Sequence, residues 1–278
     1  MKRIQNYRFH DSRGSRISII FHVLLGMMMF LGDLQAQESR PLGQSIQGFV
    51  DKGELAGAVM LVANREKVLA LEATGWADMS RKKPMETNSI FWIASQSKPM
   101  TAAALMVLVD ERKVSLDDPV EKFLPEFRGQ MAVSEKDKDH ILLRKPKHPI
   151  TVRNLLAHTS GLPFRTPIEV PTLDRLSLAD RVRSYAMANL DYEPESKYQY
   201  SNAGINTAGR IIEVVSGKSF EDFLDERLLR PLGMKDTSFW PSEEQLGRLA
   251  KAYKPDAKNK GLVAVSYTHL TLPTILLV

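Results

Sequence analysis

The chain has 278 residues, 43% of them hydrophobic and 26% charged, which is globular composition with length for one large domain or two modest ones. Its formal net charge is +5, but five basic and two acidic residues within 1–36 supply +3, so the remainder carries only +2 and a nucleic-acid-binding surface is not expected. There is no cysteine, which excludes disulfides, a thiol nucleophile and thiolate zinc sites.

Residues 1–36 read as a secretory signal. Basic residues come first, an apolar run covers 17–31, and Leu-Gln-Ala-Gln at 34–37 places small Ala36 ahead of a cut. The run is shorter than the ~20 residues a membrane-spanning helix needs. Cleavage is therefore expected to leave no membrane anchor, and a secreted or periplasmic mature chain.

Residues 42–52 predict an amphipathic helix with Ile46, Phe49 and Val50 inward. Gly57–Ala63 and 68–75 predict two strands joined by the polar turn Asn64-Arg65-Glu66-Lys67. Residues 76–78 and 80–83 read as loop. Residues 99–109 are almost entirely apolar, which predicts a buried helix, with Pro99 tolerated in its first turn. Ser95 would stand at the N-terminal mouth of that helix. Asp117-Asp118-Pro119 carries the signals that open another helix.

Residues 128–150 are charged and irregular, and Arg144, Lys145, Lys147 and His148 read as a solvated loop. Helices are predicted over 151–157, 178–189 and 205–216, the last stopped by Gly217. Another starts at a Ser219 cap with Asp222 three residues on and ends before Pro231. Two strands followed by helices indicate an α/β domain over 37–264 whose sheet is unfinished. From Val265 the chain reads Val-Ser-Tyr-Thr-His-Leu, which GTC TCT TAT ACA CAT CT encodes. That DNA resembles a transposon end used in sequencing adapters, so 265–278 is expected to be a non-native tail. The alternative is a genuine apolar strand.

A serine hydroxyl needs a neighbour to take its proton before it is a good nucleophile. Ser95-Gln96-Ser97-Lys98 supplies one, because residues i and i+3 share a helix face and a lysine there can accept or relay a proton. The helix N-terminus also favours negative charge at Ser95. A second Ser-x-x-Lys, Ser80 to Lys83, lies in a polar stretch with no buried helix behind it and is set aside. Tyr200-Ser201-Asn202 adds a phenol that could act as a base and an amide that could hold a carbonyl. On its own that triplet equally suits a turn before a helix. None of the six histidines has the His-Glu-x-x-His spacing of a zinc site, and no glycine-rich phosphate loop is present.

Three further segments lie in order with these two: Ser115-Leu116-Asp117-Asp118-Pro119-Val120, Leu156-Ala157-His158-Thr159-Ser160-Gly161-Leu162, and Pro231-Leu232-Gly233-Met234 with Thr237. Together the five resemble the serine β-lactamase and penicillin-binding group, in particular its class C branch with related esterases and D-amino-acid peptidases. The resemblance covers roughly residues 42–255. It implies a β-lactamase/transpeptidase-like α/β fold: an antiparallel sheet flanked by helices, with a mostly helical region. It implies that Ser95 forms an acyl-enzyme, that Lys98 and Tyr200 share the proton transfers, and that Asn202 orients the substrate. The Ser95 backbone N–H would supply half of an oxyanion hole. His158 and Ser160 would be structural. No cofactor, metal or nucleic-acid partner is implied. The substrate would be a small molecule or peptide: a β-lactam, a D-amino-acid peptide or an ester. The rival class is a non-catalytic binding module on the same fold.

The sequence departs from that family in one respect. No Lys-Thr-Gly or His-x-Gly segment follows Asn202, and Lys218, after Gly217 at a helix corner, does not substitute for it. The closing sheet strands are not recognisable either. The expectation is an incomplete domain of low stability and little activity.

Overall fold

The computed structural model describes residues 41–170, 176–258 and 261–265. The expected signal at 1–36, and all of the expected tail except Val265, lie outside the described residues. No helix among the described residues is long and apolar enough to cross a membrane.

Helix α1, Leu42–Asp51, lies on an antiparallel hairpin. Its first N–H groups, from Leu42 and Gly43, donate to the Glu72 carboxylate at 3.1 and 2.8 Å, placing an anion at the positive end of the helix. Phe49 departs from expectation: it is 51% exposed, because this helix rests on the sheet and buries none of its side chains fully.

Strands β1, Gly57–Ala63, and β2, Val68–Asp78, pair from Gly57↔Gly75 to Ala63↔Val68. The Asn64 side-chain oxygen closes the turn by accepting the N–H groups of Glu66 and Lys67 at 2.9 and 2.8 Å. Residues 76–78 are strand rather than loop. Strand β3, Lys83–Pro84, folds back to pair with Trp76 and Asp78, and Lys251 donates its N–H to the Ala77 carbonyl at 2.8 Å. Lys251 comes from distant chain and β3 is only two residues long, so local sequence could not announce them.

Helix α2, Ser97–Asp110, is apolar all round in sequence but buried on one side only: Ala104, Leu105 and Leu108 are inside, while Ala103 and Met106 face solvent. It packs on the helices of the second half of the chain. Asp117-Asp118-Pro119 opens only a short 3₁₀ turn, Val120–Lys122. The Asp118 carboxylate accepts the Ser115 N–H at 2.8 Å, and Val120 donates to Ile150 O, so the backbone leaves the helical path. The stretch 128–150 is also more regular than expected. Strands β4, Ala132–Lys136, and β5, Ile141–Arg144, form a hairpin, closed by Asp137 Oδ1 accepting the N–H groups of Asp139 and His140. Most of its side chains are solvated, so it lacks the apolar alternation that marks a half-buried strand.

Helix α3, Val152–Leu156, is capped by Thr151 and Asn154 in reciprocal hydrogen bonds. Helix α4, Leu178–Ala186, ends three residues before the predicted limit. Helix α5, Asn202–Ser216, begins three residues earlier than predicted, because Ser201 caps it by accepting the Gly204 N–H at 3.2 Å. Gly217, at φ +71°, ends it in the left-handed conformation. Helix α6, Phe220–Leu224, is capped by Ser219 as expected and runs into a π turn, Asp225–Leu229. Helix α7, Glu243–Arg248, follows. Two short strands come after it, β6, Ala252–Pro255, and β7, Leu262–Val265, paired with each other.

The main core lies between α2, α3, α4 and α5. Leu105, Leu108, Leu155, Val182, Ile211 and Ile212 have no exposed surface there. Each such side chain contributes roughly 1.5–3 kcal/mol by leaving water. This core holds the heads of α2 and α5 side by side, which brings residues near 95 and near 200 together.

Candidate active site

Ser95 lies in a 3₁₀ turn, Ala94–Gln96, that runs straight into α2. Ala94 sits at φ +44°, in the left-handed region that non-glycine residues seldom occupy. Ser97 Oγ donates to the Ala94 carbonyl at 2.7 Å, which holds that conformation. The turn presents Ser95 at the surface while Lys98, one turn on, is 8% exposed.

Three of the four expected site residues converge. Lys98 Nζ donates to Ser95 Oγ at 3.0 Å, and Tyr200 Oη donates to the same oxygen at 2.8 Å. Lys98 Nζ also lies 4.9 Å from the centre of the Tyr200 ring. Partial burial pushes the Tyr200 phenol up, but the Lys98 and Ser95 hydrogen bonds and the Lys98 charge outweigh it and hold the phenol below its ordinary value. When Lys98 or Tyr200 gives up its proton, the contact with Ser95 reverses, and that group can take the serine proton. The arrangement can therefore generate a nucleophilic alkoxide at a helix head.

Tyr200 is placed from below by the segment that follows α3. His158, at φ +57°, accepts the Ser201 N–H through Nδ1 at 3.1 Å. Its ring lies 4.8 Å from that of Tyr200, and Phe164 stacks on Tyr200 at 6.2 Å. Burial, and then the charge of Lys98, hold the His158 imidazole below its ordinary pKa. Ser201 Oγ donates to the Pro163 carbonyl at 2.8 Å. Gly161, at φ +78°, has no room for a side chain: a Cβ would stand 2.3 Å from the Tyr192 carbonyl oxygen.

Asn202 is buried as the first residue of α5, two positions past Tyr200, and no hydrogen bond among the described residues joins it to Ser95, Lys98 or Tyr200. Ser160 is a turn residue, accepting the Leu162 N–H at 3.2 Å. The second Ser-x-x-Lys does not assemble: Ser80 Oγ donates to Asp78 at 2.6 Å and Lys83 Nζ to the Gly247 carbonyl. Lys218 pairs with Glu226. Arg144 pairs with Glu193 at 3.0 Å. Among the described residues no three His, Asp or Glu side chains are grouped to hold a metal ion.

Sequence reasoning missed Ala94, Ser97 and Phe164. A hydroxyl at the first position of α2 was the only available signal for Ser97. Nothing in the sequence marks the backbone of Ala94 or the approach of Phe164.

A helix-borne serine joined by lysine and by tyrosine from across the core defines the β-lactamase/transpeptidase-like class of serine hydrolases. The family described as Beta-lactamase matches residues 42–268, and the chain belongs to it. Esterase EstB of Burkholderia gladioli is 32% identical over 203 residues, covering 69% of this chain and 49% of EstB. Penicillin-binding protein 4* of Bacillus subtilis (strain 168) is 30% identical over 222 residues, covering 77% of this chain and 45% of that protein. The solved structure of EstCE1, a hydrolase with promiscuous acyltransferase activity, matches with TM-score 0.68 and 32% identity over 83% of this chain and 60% of its own. The chain thus spans about half the length of these curated relatives.

Proposed function

We propose that the protein is an exported hydrolase that cleaves a carboxylic ester or amide through an acyl-enzyme on Ser95. The observation that carries this is the convergence of Lys98 Nζ and Tyr200 Oη on Ser95 Oγ at 3.0 and 2.8 Å. Ser95 Oγ attacks the carbonyl carbon as its proton passes to Tyr200 or Lys98. The same proton then goes to the departing oxygen or nitrogen, and the C–O or C–N bond breaks. Water attacks the resulting ester, returning a proton to Ser95 and releasing the acid. Asn202 orients the substrate, and the Ser95 N–H stabilises the oxyanion.

Esters are the preferred substrate class, since two of the similar proteins described above are an esterase and a promiscuous acyltransferase hydrolase. β-Lactams and D-amino-acid peptides are the other two. The basic, apolar and small-residue order of 1–36 supports export, and the match of Val265-Ser-Tyr-Thr-His-Leu to an adapter-encoded peptide supports reading 265–278 as non-native. The test is hydrolysis of p-nitrophenyl esters against nitrocefin, with Ser95→Ala as control. Ester turnover lost in the variant supports the proposal. Turnover undiminished by the substitution rejects Ser95 as the nucleophile, and neither turnover nor adduct with any of the three substrate classes favours a binding module.

A further inference from the structure

The family resemblance leaves His158 a structural residue, but its contacts reach the reacting group. Its backbone carbonyl accepts the N–H of Gln199 at 2.9 Å and the hydroxyl of Tyr192 at 3.4 Å. Its Nδ1 accepts the N–H of Ser201 at 3.1 Å. Gln199 and Ser201 are the two neighbours of Tyr200, so a single residue fixes the backbone on both sides of the phenol. Its ring then lies against Tyr200, 4.8 Å centre to centre with the planes 34° apart, and edge-on to Tyr198 at 5.8 Å. The φ of +57° at His158 turns both its carbonyl and its ring toward residues 198–201.

We infer that His158 is a positioning residue for Tyr200: as the neutral imidazole with its proton on Nε2, it sets the place of the phenol oxygen against Ser95. Only an unprotonated Nδ1 can accept the Ser201 N–H, so that hydrogen bond selects the tautomer. Burial and, after it, the charge of Lys98, whose Nζ lies 4.9 Å from the centre of the Tyr200 ring, also disfavour imidazolium. Loss of the acceptor would leave the Ser201 N–H, in a residue 1% exposed, with no partner, and the 199–201 backbone would move to find one. The phenol would move with it. The inference rests on the catalytic reading of Ser95, Lys98 and Tyr200.

The test compares two variants with the wild-type chain. Asparagine carries an acceptor where Nδ1 sits and tolerates positive φ, so His158→Asn keeps the hydrogen bond without the ring. Alanine removes both. For p-nitrophenyl ester hydrolysis, His158→Ala is expected to lower kcat by about 10- to 100-fold with KM within about 2-fold, because the ground-state site is intact and the proton-transfer geometry is not. His158→Asn is expected to recover to within about 3-fold of wild type. Circular dichroism melts establish that both are folded. Separately, ring-nitrogen NMR of ¹⁵N-histidine-labelled wild type and Ser95→Ala is expected to show Nδ1 unprotonated at neutral pH in both. An unchanged kcat in a folded His158→Ala, a His158→Asn as slow as His158→Ala, or a protonated Nδ1 at neutral pH overturns the inference. If His158→Ala does not fold, His158→Asn and the NMR measurement decide it. Failure of the catalytic reading looks different: Ser95→Ala then hydrolyses the ester as wild type does, whatever the tautomer of His158.

Discussion

Tyr200 Oη and Ser95 Oγ are 2.8 Å apart in space and 105 positions apart in sequence. The contact exists because α2 and α5 are packed side by side through a core of fully buried leucine and isoleucine. Ser95 is carried into α2 and Tyr200 stands two residues before α5.

The first prediction concerns the oxygen itself. Ser95→Ala removes an exposed side chain, so the melting temperature is expected to stay within a degree or two of wild type, a change that small being ordinary for a surface site. Acylation is expected to fall by at least about a thousandfold. Intact-mass detection of the ester adduct checks both the loss and the residue that carries it. A full-strength adduct in the variant would mean another nucleophile.

The second concerns the phenol. Tyr200→Phe keeps the ring against His158 and Phe164 but removes the oxygen, and is expected to slow acylation by about 10²- to 10⁴-fold. The Tyr200 phenol titrates below its ordinary value, so the wild-type acylation rate is expected to climb with pH on the alkaline side of neutrality and level off before pH ~10. The climb follows from the base form growing as the proton leaves. It should be absent from the residual activity of Tyr200→Phe, as pH-rate profiles of kcat/KM would reveal.

A third prediction is about stability and its sign with pH. The Lys251 ammonium, 2.8 Å away, and the Ser80 hydroxyl hold the Asp78 carboxyl well below the usual carboxylate range. A group whose folded pKa is depressed adds stability above its unfolded value, near 3.9, and loses it as pH falls through the folded value. Asp78→Asn is therefore expected to melt lower than wild type at pH 7, with the gap closing below pH ~4. Thermal melts from pH 7 to 3 measure the gap; a constant difference across that range would contradict the assignment.

Gly161 supplies the fourth. An alanine there meets the Tyr192 carbonyl at 2.3 Å in a conformation only glycine holds without strain. Gly161→Ala is expected to cost at least about 1–3 kcal/mol, read as a shift in the urea midpoint. It should also slow ester hydrolysis, since Asp191 donates to Gly161 O at 2.8 Å and residues 191–200 lead directly to the phenol. A variant that loses stability but keeps the wild-type rate would separate the turn from the site.

Much of this site could be read in advance from residues whose chemistry is local. Ser95 and Lys98 are one helical turn apart, and Pro99 and the apolar run after it located that turn. Gly217 and Ser219 announced a helix end and a helix start by capping rules. Tyr200 was a candidate only because other segments stood with it in order. The departures come from backbone partners, caps and packing that the apolar pattern does not display. Residues 76–78 became strand because Lys83 and Lys251 bond to them, and Asn202 became helical because Ser201 capped it. Phe49 has the right period for burial yet lies over solvent, because α1 rests on the hairpin through other side chains. Ala94 was invisible, since no side chain marks its positive φ.

Ile90 stands five residues before Ser95, and its backbone is held by Arg248 O at 3.0 Å and by the Ala250 N–H at 2.8 Å. The segment that leads to Ser95 is thus tied to chain made 160 positions later. At a synthesis rate of about 5–20 residues per second, those positions take roughly 8–32 seconds to emerge. For that interval Ile90 has neither of these backbone partners. Newly made protein should become reactive toward an acylating probe in one late step, after residue 250 is free to fold, and not gradually as α2 forms.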